Sequence, residues 1–174
     1  MEEVKRIPPK KPRHHAGNEA IRTAARKLAV QMMYQSEMTG ELPPQVVDNF
    51  LMIYESETEV EPEKDNVFRG GGTHSKAGFS YAKRLFLGAY AKKDASDEVV
   101  ARLLKDDWSF DRLSCTVKNI FRLALYELTE TNTPHYAVLT DYVNLACAFD
   151  DEKTAVFVNG LLEKVRLSVP NAEG

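Results

Sequence analysis

The chain has 174 residues, 43% of them hydrophobic, and its 23 Lys and Arg against 26 Asp and Glu leave a net charge of −3. A domain of this size buries a core without disulfides or metal. With no apolar run near the roughly 18 residues of a membrane span, and no apolar stretch in MEEVKRIPPKKPRHH that reads as a secretory signal, a membrane protein, a secreted disulfide scaffold and a wholly disordered chain are excluded.

Residues 1–18 read as a flexible basic arm, since Ile7–Gly17 holds three prolines and clustered bases but few apolar groups. Asn18 is placed to cap a first helix whose apolar positions Ile21, Ala25, Leu28, Ala29, Met32 and Met33 follow steps of three and four. Gly40 stands where that helix should stop, and Pro43-Pro44 suits the first turn of the next. An acidic, then glycine-rich stretch at about 55–78 is too polar to order itself and reads as a long surface insertion. Helical spacing resumes over Phe79–Lys92, and Ser96 with Asp97 and Glu98 marks another start. Asp111–Thr131 carries the broadest apolar stripe, Pro134 opens a further helix, and Glu152–Arg166 is the last, with Val156 and Phe157 among its apolar positions. Residues 169–174 form a short tail. Strand alternation is hardly present. The expected class is all-α, with six or seven helices in one domain over residues 19–168.

The net charge is an average of unlike parts. Residues 1–30 have eight bases against three acids, a net of +5; residues 31–65 total −8; the rest balances to zero. At physiological salt a polyanion senses only charges within about 8 Å, so the basic end decides the matter locally.

Catalytic signatures are missing: no nucleophile elbow, phosphate loop or dinucleotide fingerprint occurs. Cys115 and Cys147, 32 positions apart on expected apolar faces, read as reduced core thiols in a cytoplasmic protein. No histidine pair has metal-ligand spacing, and neither metal nor cofactor is expected. Arg69-Gly-Gly-Gly72 reads as linker within the insertion. What remains is a binding surface. Arg22, Arg26 and Lys27 follow one another at helical spacing, and Tyr34 lies two turns past Lys27. Bases meet phosphates while an aromatic ring stacks on an unpaired base, which is how single-stranded RNA is commonly held. Tyr34 has a second reading, as a core aromatic with its hydroxyl at the surface.

Four segments carry a resemblance. Ala25-Arg26-Lys27-Leu28-Ala29-Val30-Gln31-Met32-Met33-Tyr34 resembles the A-R-x-x-A-x-Q-x-L-Y opening of the NusB transcription antitermination factors. Trp108-Ser109-Phe110-Asp111-Arg112-Leu113 is similar to that family's W-S-L-D-R-L segment. Phe121-Arg122-Leu123-Ala124-Leu125-Tyr126-Glu127-Leu128 is similar to its L-R-L-A-L-Y-E-L helix. Phe157-Val158-Asn159-Gly160-Leu161-Leu162 is similar to its F-V-N-G-V-L segment. They occur in the family's order across roughly residues 20–167.

The resemblance implies two three-helix bundles and a role without catalysis. It implies pairing with NusE, a small-subunit ribosomal protein, on boxA-type RNA within the transcription elongation complex, notably for ribosomal RNA operons. Either a monomer or a homodimer fits the family. Residue by residue, it adds Phe157 to Arg22, Arg26, Lys27 and Tyr34 as an RNA contact, with Lys10, Lys11 and Arg13 of the arm supplying further charge. Asp111 becomes the candidate for the partner-facing side. Arg122 and Glu127 are expected in an internal polar network, and Gly160 is expected to permit close helix approach. An alternative is a protein-interaction module of the same fold with weakened RNA binding, since Thr23 and Ala24 stand where the family is often basic.

Overall fold

The computed structural model describes residues 13–58, 76–105 and 107–169, apart from the side chains of 13–18 and 56–58. Among them are seven α-helices, one 3-10 turn and no strand. The helices are α1 (Arg13–Thr39), α2 (Pro43–Thr58), α3 (Lys76–Ala91), α4 (Lys93–Leu103), α5 (Cys115–Glu130), α6 (His135–Phe149) and α7 (Glu152–Ser168), with the 3-10 turn at Phe110–Arg112 before α5. No described helix is long and apolar enough to cross a membrane.

Local chemistry sets most boundaries. Gly40 ends α1 with φ at +73°, a left-handed conformation that costs glycine little. Pro43 then occupies the first turn of α2, where its missing N–H has no intrahelical partner to lose. Four starts differ from the sequence reading, α3 beginning at Lys76 rather than Phe79. Helix α1 begins at Arg13, directly after the last proline of the arm, so Asn18 lies inside it rather than capping it. Helix α4 begins at Lys93 because Asp94 already supplies the acid of its first turn. Helix α5 begins at Cys115 because the Ser114 hydroxyl accepts from the Val117 amide at 3.2 Å, leaving Phe110–Arg112 as the separate turn. At α7 the Asp151 carboxylate accepts from the Thr154 amide at 2.7 Å, which holds it below the usual carboxylate range.

Helices α1, α2 and α3 pack on one another, and α5, α6 and α7 form the second set, with α4 laid against α5 and α7. Helix α5 joins the two sets, since it also packs on α1 and α3. Its stripe explains this: Val117, Ile120, Phe121, Leu123, Ala124, Leu125 and Leu128 are all buried, facing more than one direction. Met32, Leu85, Phe86, Ile120 and Phe121 are among the interior side chains that fill the core between the sets. Gly88 of α3 lies beneath Tyr126 of α5, and a Cβ there would stand 2.1 Å from the Tyr126 ring. Of the two cysteines, Cys115 is partly buried and Cys147 exposed. The expectation of a core thiol at 147 is corrected because the buried stripe of α6 runs through Val138, Leu139, Tyr142, Leu145 and Ala146 and stops one position short of it.

Candidate nucleic-acid interface

Arg26 sits at the centre of α1's basic segment and points inward, only 2% exposed. Its Nε donates to both carboxylate oxygens of Glu127 at 3.0 Å, its Nη2 to Glu127 Oε1 at 2.6 Å and its Nη1 to Asp141 Oδ2 at 2.6 Å. Glu127 is 0% exposed. It also accepts from the hydroxyls of Tyr81 at 2.7 Å and Tyr142 at 3.1 Å. Thr23 Oγ1 donates to Asp141 Oδ2 at 2.7 Å. Burial opposes the charge of Arg26, but the hydrogen bonds and negative charge of Glu127 outweigh it and raise the guanidinium pKa. The reading of Arg26 as a phosphate contact is therefore corrected. Its guanidinium is committed to the buried Glu127 and the part-buried Asp141, and the network ties α1 to α3, α5 and α6.

The inward turn of Arg26 divides what reads in the sequence as one basic stripe. Arg22 is exposed on one side, its guanidinium 5.4 Å from the centre of the Tyr81 ring in a cation–π contact. Lys27 lies on the other side, partly buried, and Tyr34 follows it by two helical turns. Tyr34 is 48% exposed, so its ring is not a core element. Arg13 opens α1, while its side chain and all of Lys10 and Lys11 lie outside the described residues.

Phe157 is the centre of a second surface. Its ring stacks on Trp108, with centroids 5.5 Å apart and planes at 29°, and meets Phe121 edge-on at 6.5 Å. A groove of about 360 Å³ opens beside the pair, lined also by Lys105, Val156, Gly160 and Lys164. Val156 is 71% exposed at this groove, against the sequence expectation of a buried position. Gly160 does not serve close helix packing, because nothing stands within 4 Å of where its Cβ would be; its missing side chain keeps the groove open. Asp111 is exposed on the 3-10 turn.

Arg122 does not share the Glu127 network expected of it but joins a separate, part-exposed one, donating to both Asp97 oxygens at 2.7 Å and to Glu37 at 3.3 Å. The Cys115 thiol donates to the same Glu37 at 3.1 Å. Burial first, and then that carboxylate, push the thiol pKa up to about 11. Among the described residues no group of three or more His, Cys, Asp or Glu is placed to hold a metal ion.

Three aromatics escape a reading based on bases and apolar stripes: Tyr81 under Arg22, Trp108 on Phe157, and Tyr136, which faces Arg22 across a cleft between α1 and α6. Tyr81 and Tyr136 belong to none of the four motifs, and Trp108 is visible only as a motif letter. The usable signal for Tyr136 is its place directly after Pro134-His135, in the opening turn of a helix, at a position off the apolar stripe.

A sequence profile of the NusB family matches residues 23–166. The chain is 30% identical over 149 residues to the transcription antitermination protein NusB of Rhizobium leguminosarum bv. trifolii, covering 85% of this chain and 87% of that one. It is 31% identical over 147 residues to the Bacillus cereus NusB, covering 83% and 96%. Among solved structures, a complex of the antitermination factors NusB and NusE with double-stranded RNA contains a chain that superposes with a TM-score of 0.67 at 27% identity, covering 86% of this chain and 98% of that one. The profile spans both helix sets and all four motifs, so this chain belongs to the NusB family of transcription antitermination factors, which act by binding rather than catalysis.

Proposed function

We propose that this protein binds boxA-type single-stranded RNA together with the small-subunit ribosomal protein NusE, and acts in the cytoplasm on the transcription elongation complex, notably during ribosomal RNA synthesis. The observation that carries this reading is the likeness, along 86% of this chain, to a protein solved with NusE and RNA. Two surfaces support it. One is the α1 face with Arg22, Lys27 and Tyr34; the bases Lys10, Lys11 and Arg13 precede it in the sequence and are proposed to add charge. The other is the Trp108–Phe157 stack flanked by Lys105 and Lys164, where an unpaired base finds an aromatic face and its phosphate a cation. Asp111, exposed on its turn, is the residue assigned to the NusE side.

Titration of a labelled boxA-type RNA, with and without NusE and across a salt series, tests the reading. Expected are a preference over scrambled RNA and tighter binding with NusE present. Equal affinity for both RNAs overturns it. A second reading, a protein-interaction module with weakened RNA binding, draws support from the withdrawal of Arg26 into the interior. NusE binding without measurable RNA affinity selects it.

A further inference from the structure

A cleft of about 220 Å³ lies between α1 and the first turns of α6. Its lining includes Arg22, Thr23, Tyr136, Thr140 and Asp141, with Arg26 behind them. The formal charges of Arg26 and Asp141 are already paired, and Thr23 also donates to Asp141. Arg22 is the exposed cation of the lining, and the exposed carboxylate of Glu19 stands one turn before it on α1. The cleft is therefore not built as a general anion hole, and only an anion that also uses the Tyr136 ring gains from it. Tyr136 is 70% exposed, on the face of α6 away from the buried Val138, Leu139, Tyr142, Leu145 and Ala146. Thr140 follows it by four positions on the same side of α6, one turn further along, and Asp141 beside Thr140 faces Thr23 and Arg26 across the cleft.

Arg22 is not a loose surface side chain. It rests on the Tyr81 ring, the Tyr81 hydroxyl donates to Glu127, and Glu127 is fixed by Arg26. A guanidinium held in this way loses less freedom when it meets a phosphate. The cleft thus combines an exposed π-face, one oriented cation, and hydroxyl and carboxylate acceptors on the wall between them. A free phosphate has no use for the ring, and an apolar peptide has none for the cation and acceptors. A nucleotide uses all three.

We propose that the α1–α6 cleft takes one unpaired nucleotide of a bound RNA strand, with Tyr136 stacking on the base and Arg22 contacting the phosphate. Tyr81 is the positioning residue for Arg22. The proposal rests on the reading of this protein as a single-strand RNA binder and adds to it a subsite and a stacking residue, Tyr136.

Anisotropy titrations with a labelled boxA-type RNA, and with a series carrying one abasic position each, test the assignment. Tyr136→Ala should weaken binding about tenfold, Tyr136→Phe should not, and both should melt like the wild type. At one position the abasic RNA should cost the wild type the same factor and Tyr136→Ala nothing more. Tyr81→Leu should weaken binding in the wild type but not in an Arg22→Ala background, where a purely structural role would still register. Wild-type affinity in Tyr136→Ala, or losses that multiply at every abasic position, would overturn the subsite. Loss of NusE binding with RNA affinity intact would assign the cleft to protein and overturn it too. Failure of the wild type to bind RNA, seen before any variant, would sink the broader reading instead.

Discussion

At Arg26 a single side chain changes what the first helix does. Its partners are buried, and removing the cation leaves Glu127 charged in the interior with only two phenolic hydroxyls to solvate it. Arg26→Ala should therefore cost about 3–5 kcal/mol of stability, read as a lower urea midpoint. A surface phosphate contact would instead lose RNA affinity at unchanged stability. The same network has an alkaline signature. Burial first, and the negative charge of Glu127 next, raise the pKa of Tyr142 well above its ordinary 10.0, and Tyr81 shifts the same way. Below that ordinary value both states keep the proton and nothing is lost. Above it the unfolded chain releases protons that the folded chain retains, so stability falls as pH rises. Cys115, ordinarily near 9.0 and here pushed up to about 11, adds the same sign slightly earlier. Urea unfolding should show stability declining from about pH 9 upward. Cys115→Ser should remove the first part of the decline and Tyr142→Phe part of the remainder; a curve level through pH 11 in the wild type would contradict the network's burial.

At the scale of elements, the two helical glycines should behave in opposite ways. Gly88→Ala drives a methyl to 2.1 Å from the Tyr126 ring, and a packed aromatic has little room to turn aside. A loss of about 1–3 kcal/mol is expected, with partial recovery when Tyr126→Leu is added. Gly160→Ala meets nothing within 4 Å, and helix propensity alone should raise stability by about 0.5–1 kcal/mol. Equal effects of the two substitutions in urea unfolding would refute the packing described for α3 and α5. The existence of each helix was legible because three- and four-residue apolar steps are a direct record of a buried face. The start of α5 was not, since the Ser114 cap and the Asp111 turn both satisfy the first-turn rules and only packing selects Ser114. Gly160 was misread because the sequence records the absence of a side chain and not what that absence faces.

For the whole molecule, the net charge of −3 conceals a basic end and an acidic middle, and the fold conceals one of the bases. Arg26 reads as surface because charge is ordinarily exposed. Yet it occupies the buried stripe of α1 with Ala25, Ala29, Val30 and Met33, just as Glu127 interrupts the stripe of α5. Opposite charges set into two apolar stripes were the available signal for an interior pair; their distance in sequence hid the match. Counterion release can now separate interior from surface bases. A single strand loses affinity with a log–log salt slope of about −0.7 per phosphate contact, so three to five contacts give a slope of about −2 to −3.5. Arg22→Gln should make that slope shallower by about 0.7, and Lys10→Gln with Lys11→Gln by up to twice as much. Arg26→Gln, measured on the folded fraction, should leave the slope unchanged although it lowers stability. The slope counts ions and not contacts in general, so loss of a stacking ring such as Tyr34 shifts the line without tilting it. A slope that drops with Arg26→Gln would return that residue to the RNA, and one indifferent to the arm lysines would leave the arm a solvated end.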